Sequence, residues 1–160
     1  MHKINNNGAT LIEMLTVLVI FVVIAAVIYT TMFSNWLTFD DRMARADMWH
    51  EANEIFETIT DISRNAKSIS VAVAPDGEKT AIVTDTDDAT VATYVVTVDG
   101  KFQIVHAGGA VQTLTENLDA SNSDLVELTT KSLYVKLAFQ KELFRRTIHF
   151  ETATEVLVRN

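Results

Sequence analysis

Hydrophobic and polar positions divide this chain into three parts. From Ala9 to Phe39 a single charged residue, Glu13, interrupts an otherwise uncharged run. Met14–Phe39 alone supplies 26 uncharged residues, rich in Val, Ile, Leu, Phe and Ala and free of Gly and Pro. A bilayer core of ~30 Å is crossed by ~20 helical residues, so the run is long enough to span. Tyr29 and Trp36 fall toward its far end, where amphipathic rings suit a membrane interface, although ordinary helix packing explains them as well.

Beyond Phe39 the apolar positions thin out to steps of three and four. Phe39, Met43, Ala46, Trp49, Ala52, Phe56, Ile59, Ile62, Ala66 and Ile69 read as one face of an amphipathic helix, with most charges off it. Neither Pro nor Gly occurs between Gly8 and Pro75. One helix is therefore expected from about Thr10 to Lys67, roughly 85 Å long at 1.5 Å per residue.

After Ser68 the period changes to that of strands. Candidates are 69–74, 80–84, 91–98, 101–106, 125–129, 133–140, 145–152 and 155–159, rich in Val, Ile, Thr, Tyr and Phe. Pro75-Asp76-Gly77 marks one turn, and Asp99-Gly100 reads as a two-residue hairpin. Gly108-Gly109 and Asp119–Asp124 mark looser loops. The expected class is α+β: a long N-terminal helix, transmembrane and then amphipathic, packed on an antiparallel β-sheet domain. The expected divisions are a leader at 1–8, an apolar helical half at 9–39, an amphipathic half at 40–67 and a β-rich body at 68–160.

Composition sharpens this picture in two ways. The formal charge is −8 from Lys+Arg 13 and Asp+Glu 21, and all but Lys3 and Glu13 lie beyond Phe39. The slightly positive mean hydropathy, +0.16, thus averages an apolar rod with an acidic body. An acidic body argues against direct nucleic-acid binding. With Cys 0 there is neither a disulfide nor a thiol nucleophile.

Three readings of the N-terminus compete: a plain signal-anchor, a secretory signal cut near Ala25-Ala26, and a reading centred on Glu13. Against the second, the apolar run continues well past Ala26, and Glu13 interrupts the start of its hydrophobic region. The third starts from the order of residues: a short polar leader with Lys3, then Gly8, Ala9, Thr10-Leu11-Ile12-Glu13 and Leu15. This order resembles the class III signal of type IV pilins and of the pseudopilins of type II secretion systems, in which a Gly before the cut precedes Phe-Thr-Leu-Ile-Glu-x-Leu. Ala9 stands where Phe is usual.

The resemblance implies cutting between Gly8 and Ala9 by a prepilin peptidase and, as an option, N-methylation of the new Ala9 terminus. It implies that Glu13 attracts the α-amine of a neighbouring subunit during fibre assembly. It further implies membrane lipid, other pilin or pseudopilin subunits and an inner-membrane assembly platform as partners. Location would be the inner membrane, single-pass with the body extracytoplasmic, and then a filament. The mature chain would have 152 residues and a charge of −9. Asp99–Phe102, Gly108-Gly109, Leu114-Thr115 and the ending Phe150 … Asn160 are similar to minor pilins or pseudopilins of the J or W type. A different class of function is a bitopic membrane protein whose β-rich body binds a ligand or partner without forming a fibre. For Glu13 itself, the alternative is a carboxylate that caps a helix N-terminus.

Little else suggests chemistry. His2, His50, His106 and His149 form no pair with ligand spacing. No Gly-x-Ser-x-Gly and no phosphate loop occurs. No enzyme activity, cofactor or metal is expected. Asp85, Asp87 and Asp88 could offer oxygens to Ca²⁺, but without the ordered spacing of a calcium loop; a solvated acidic turn is the other reading. Arg145-Arg146 could meet anions or lie as plain surface strand residues.

Overall fold

The computed structural model describes residues 7–143 and 146–158, with the backbone alone for 7–10. It is an α+β chain: helix α1 (Asn7–Ser63) is followed by β1 (Ser68–Val73), β2 (Lys79–Thr84), β3 (Thr90–Val96), β4 (Phe102–His106), β5 (Val111–Thr115), β6 (Asp124–Thr129), β7 (Ser132–Leu143) and β8 (Arg146–Leu157). The chain divides into two units, Met1–Arg42 and Met43–Asn160.

The first unit is helical wherever it is described. Thr16, Thr30, Thr31 and Thr38 are satisfied within the helix. Thr16 Oγ1 donates to the Ile12 carbonyl at 2.8 Å, Thr31 to Val27 at 2.8 Å and Thr38 to Ser34 at 3.0 Å. Bonding back to the preceding turn lets threonine sit in an apolar helix without an unsatisfied donor.

The second unit is built on one hydrophobic core. Five antiparallel strands form a meander in the order β1-β2-β3-β4-β5, and β6-β7-β8 form a second sheet. The helical segment from Met43 onward lays Ala44, Met48, Ala52, Ile55 and Ile59 against core residues of both sheets, among them Tyr94, Phe102, Leu137 and Phe139. Two polar contacts fix its setting: Thr115 Oγ1 donates to Glu51 at 2.7 Å, and Lys141 Nζ meets Asp47 at 3.0 Å.

The buried stripe differs from the expected one. Ala52 and Ile59 belong to it, and Phe56 and Ile62 are half-buried, but Phe39, Met43 and Trp49 are 60%, 52% and 57% exposed. The expected row advanced mostly in threes. Such a row slips around a helix of 3.6 residues per turn, whereas 44-48-52-55-59-63 stays on one side.

The helix also ends four residues earlier than expected. Tyr94 is buried, its hydroxyl donating to the Ile59 carbonyl at 3.2 Å and sharing a hydrogen bond of 3.0 Å with buried Ser63. Lys67 N already donates to Thr84 O at 2.7 Å, which commits the chain to the β1–β2 ladder.

The four hairpins of the meander use one turn design. In each, the first residue of the turn both accepts a bond from the residue three positions on and donates to the residue four positions on, as in Gly100 N→Thr97 O (3.1 Å) and Thr97 N→Lys101 O (3.0 Å). The residue two positions before each return strand has positive φ: Gly77 (94°), Asp88 (59°), Gly100 (79°) and Gly109 (80°). Asp99-Gly100 is therefore the end of a three-residue loop. A two-residue type I′ turn would need positive φ at Asp99 too, which is absent. Two more expectations change. Val111–Thr115 is a strand, and the two segments expected at 145–152 and 155–159 are one strand, β8. Arg145 and Arg159 lie outside the described residues.

Two outcomes follow for the body. At Gly100 an added Cβ would stand 2.3 Å from the Leu118 carbonyl oxygen, on a backbone with φ +79°. Gly100→Ala should destabilise by about 2 kcal/mol or more, while Gly108→Ala, with nothing within 4 Å, should stay within about 0.5 kcal/mol, both read by denaturant titration in detergent. Burial pushes the Tyr94 hydroxyl up to about 12, partly offset by its bond to Ser63. Burial favours the protonated form, so this stability is intact below pH 10, the ordinary tyrosine value, and is lost as pH rises toward 12. Tyr94→Phe should flatten that alkaline decline, and at neutral pH should cost about 1–2 kcal/mol by leaving Ser63 and the Ile59 carbonyl without this partner.

Candidate functional site

Gly8, Ala9 and Thr10 lie in the first turn of α1, which begins at Asn7. Leu11, Ile12, Glu13 and Leu15 follow on the same helix, and all four side chains are exposed. Ala9 and Glu13 are four residues apart, which on a helix places them on one face one turn from each other. The residues before Asn7, including Lys3, lie outside the described residues.

Two properties distinguish this segment. The first is its surface: every side chain from Leu11 to Phe39 is exposed, and 22 of the 29 are apolar. The helix is long and apolar enough to cross a membrane. The second is Glu13. The first turn of α1 holds no acidic residue, and Glu13, the seventh residue of the helix, falls late in the second turn, beyond the range over which a carboxylate interacts well with the helix dipole. The capping reading therefore does not fit the uncut chain. A carboxylate on a lipid-facing helix costs roughly 2.5–3.5 kcal/mol at the bilayer centre and less near an end, so its natural complement is a cation at the same depth.

Residues 3–29 match the prokaryotic N-terminal methylation motif. This motif is that of the class III signal peptide of type IV pilins, which the segment therefore resembles. The match runs from Lys3 through Gly8, Ala9 and Glu13 along the apolar helix as far as Tyr29, and covers none of the β-rich body. No match was found among curated proteins or among solved structures. The motif joined to a membrane-capable helix supports a pilin-like, prepilin-processed chain, and it points to a structural part rather than an enzyme.

The remaining sequence candidates are not brought together. Asp85 Oδ1 accepts from the backbone of Asp87 (2.8 Å) and Ala89 (3.0 Å), and Asp88 pairs with Lys67 at 2.7 Å. These carboxylates thus build the β2–β3 turn. Among the described residues no group of three or more His, Asp or Glu side chains could hold a metal ion. His50, His106 and His149 lie on separate elements, α1, β4 and β8, and all three are at least partly exposed. His106 Nε2 stands 3.4 Å from Gln112 Oε1 across the β4–β5 hairpin. Arg146 begins β8, exposed.

What the sequence reading missed is the exposed apolar surface past Asp40 and Asp41, where Met43 and Trp49 remain open. The buried row Ala44-Met48-Ala52-Ile55-Ile59 leaves these two on other sides of the helix, and apolar identity alone carries no signal of that.

Proposed function

We propose that this chain is a structural subunit, a minor pilin or pseudopilin, of a type IV pilus or type II secretion-like filament. A prepilin peptidase cuts between Gly8 and Ala9, with Lys3 on the cytoplasmic side and the body outside. The mature helix then leaves lipid for a fibre, guided by the inner-membrane assembly platform. The observation that carries this reading is a single carboxylate, Glu13, one turn from the residue that becomes the new N-terminus, on a helix whose apolar side chains are all exposed as far as Phe39.

The energetics agree with an assembly role. Opposite charges in a low-dielectric surround attract strongly, and each relieves the desolvation cost of the other. The α-amine of one subunit's Ala9 against the Glu13 of another would set axial register, while the apolar surface supplies non-directional contact. Trp36, Phe39, Met43 and Trp49 extend that surface beyond the bilayer-length segment. Methylation of the Ala9 amine would keep its charge. Nothing in this scheme requires a cofactor, a metal or nucleic acid.

The other reading, a bitopic protein with a ligand-binding body, leaves the motif without a use. The two separate on one variant. Glu13→Ala should leave membrane insertion and cleavage intact and lower incorporation into sheared filaments at least tenfold. Normal incorporation of Glu13→Ala would overturn the assembly role assigned to this carboxylate.

A further inference from the structure

The sheet edges of the body are not equally protected. β1 and β6 approach each other, with Ile69 N donating to Thr130 O at 3.0 Å and Val71 N to Glu127 Oε2 at 3.2 Å. β7 is occupied along both sides. β8 lies on one side. On the other, β6 is followed by Leu118, which bridges to Phe139, and by Asp119 N→Ala138 O (2.7 Å) and Gln140 N→Asn117 O (3.0 Å). β8 is different: it runs 12 residues, pairs with β7 in unbroken register, and among the described residues pairs with nothing else. It has no Pro, Gly or Lys and no bulge, so of the usual devices that blunt a long edge it carries only the charges of Arg146, Glu151 and Glu155.

Its side chains select what fits there. Ile148, Phe150, Thr152, Thr154 and Val156 face inward, while Thr147, His149, Glu151, Ala153, Glu155 and Leu157 are exposed. Glu151 is already paired with Lys136 of β7 at 3.0 Å. Among the described residues no ion pair engages His149 or Glu155.

We propose that β8 is the docking edge for β8 of a second copy, in an antiparallel pair centred on Thr152. A two-fold axis normal to the sheet keeps inward residues opposite inward residues, so the axis must pass through one residue position. Centred on Glu151, the pairing opposes the two Glu151 carboxylates. Centred on Ala153, it opposes Glu151 to Glu155 twice. Centred on Phe150, it leaves Glu155–Leu157 beyond the start of the partner's strand. Centred on Thr152, nearly the whole strand pairs: Ile148 meets Val156, Phe150 meets Thr154, and each His149 stands opposite the other copy's Glu155. Centred on Thr154, it leaves Arg146–Phe150 beyond the end of the partner's strand. Strand length and carboxylate repulsion thus together pick one register, and the occupant is this chain itself. Such an isologous pair closes on itself, unlike the open repeat of a filament, so it is a separate membrane-borne state of the protein.

The absence of cysteine makes the register directly readable by cross-linking the full chain in native membranes. Residues directly opposite in an antiparallel pair have Cα atoms about 4.5–5.5 Å apart, within reach of a disulfide. Thr152→Cys should therefore oxidise to dimer, while Thr154→Cys and Glu151→Cys should remain monomeric. Because Thr152 is half-buried, a second pair of variants at exposed positions checks the same register: chains with His149→Cys and chains with Glu155→Cys should cross-link when coexpressed and not when expressed alone. Adding Glu155→Lys to Thr152→Cys should cut its dimer yield about fivefold, and further adding His149→Glu should restore it. Equal yields at 151, 152 and 154, as contact through another surface would give, or no response to the charge reversal, would overturn the proposal.

Discussion

An apolar helix with every side chain exposed from Leu11 to Phe39 has no stable place in water, and the rest of this protein is arranged around that constraint. Its backbone is satisfied by its own hydrogen bonds and its threonines by carbonyls of the preceding turn. What is left is surface, which either lipid or other helices can cover. Neither alternative is directional: hydrocarbon tails and leucine side chains are similar surroundings. A protein that must pass from one to the other needs a directional element, and Glu13 is the charged group available within the segment.

The body solves the opposite problem. It is acidic, water-facing and built on one core, with the helix from Met43 onward as its central element. The buried row Ala44-Met48-Ala52-Ile55-Ile59 holds the helix against both sheets, and Tyr94 marks where the helix stops by taking up the Ile59 carbonyl and Ser63. The same helix thus carries two chemistries. Its apolar half is open on all sides, and its later half is open only where Trp49 and its exposed neighbours lie.

Much of this is written in the chain at short range. The apolar run, the lone Glu13 and the Gly8–Ala9 junction are contiguous features, so a signal motif and a membrane-capable helix can be read from them without tertiary information. Turns are legible for the same reason, since Gly77, Gly100 and Gly109 each supply the positive φ that their loops need. The loop ending at Asp88 shows the limit, because an aspartate takes the left-handed position there. The rotation of the buried stripe was not legible, because apolar identity at Phe39, Met43 and Trp49 does not say which side meets a sheet. Nor was the continuity of β8, where Ala153 and Thr154 read as a gap and twelve cross-strand partners on β7 hold them in line.

The account rests on a chemical event at one peptide bond, and the mass of the protein in its own membrane reports it. Intact mass of chain extracted from cells that carry the processing peptidase should correspond to a start at Ala9, with or without one added methyl group. A mass that retains Met1–Gly8 in those cells, or one that begins after Ala26, would contradict it.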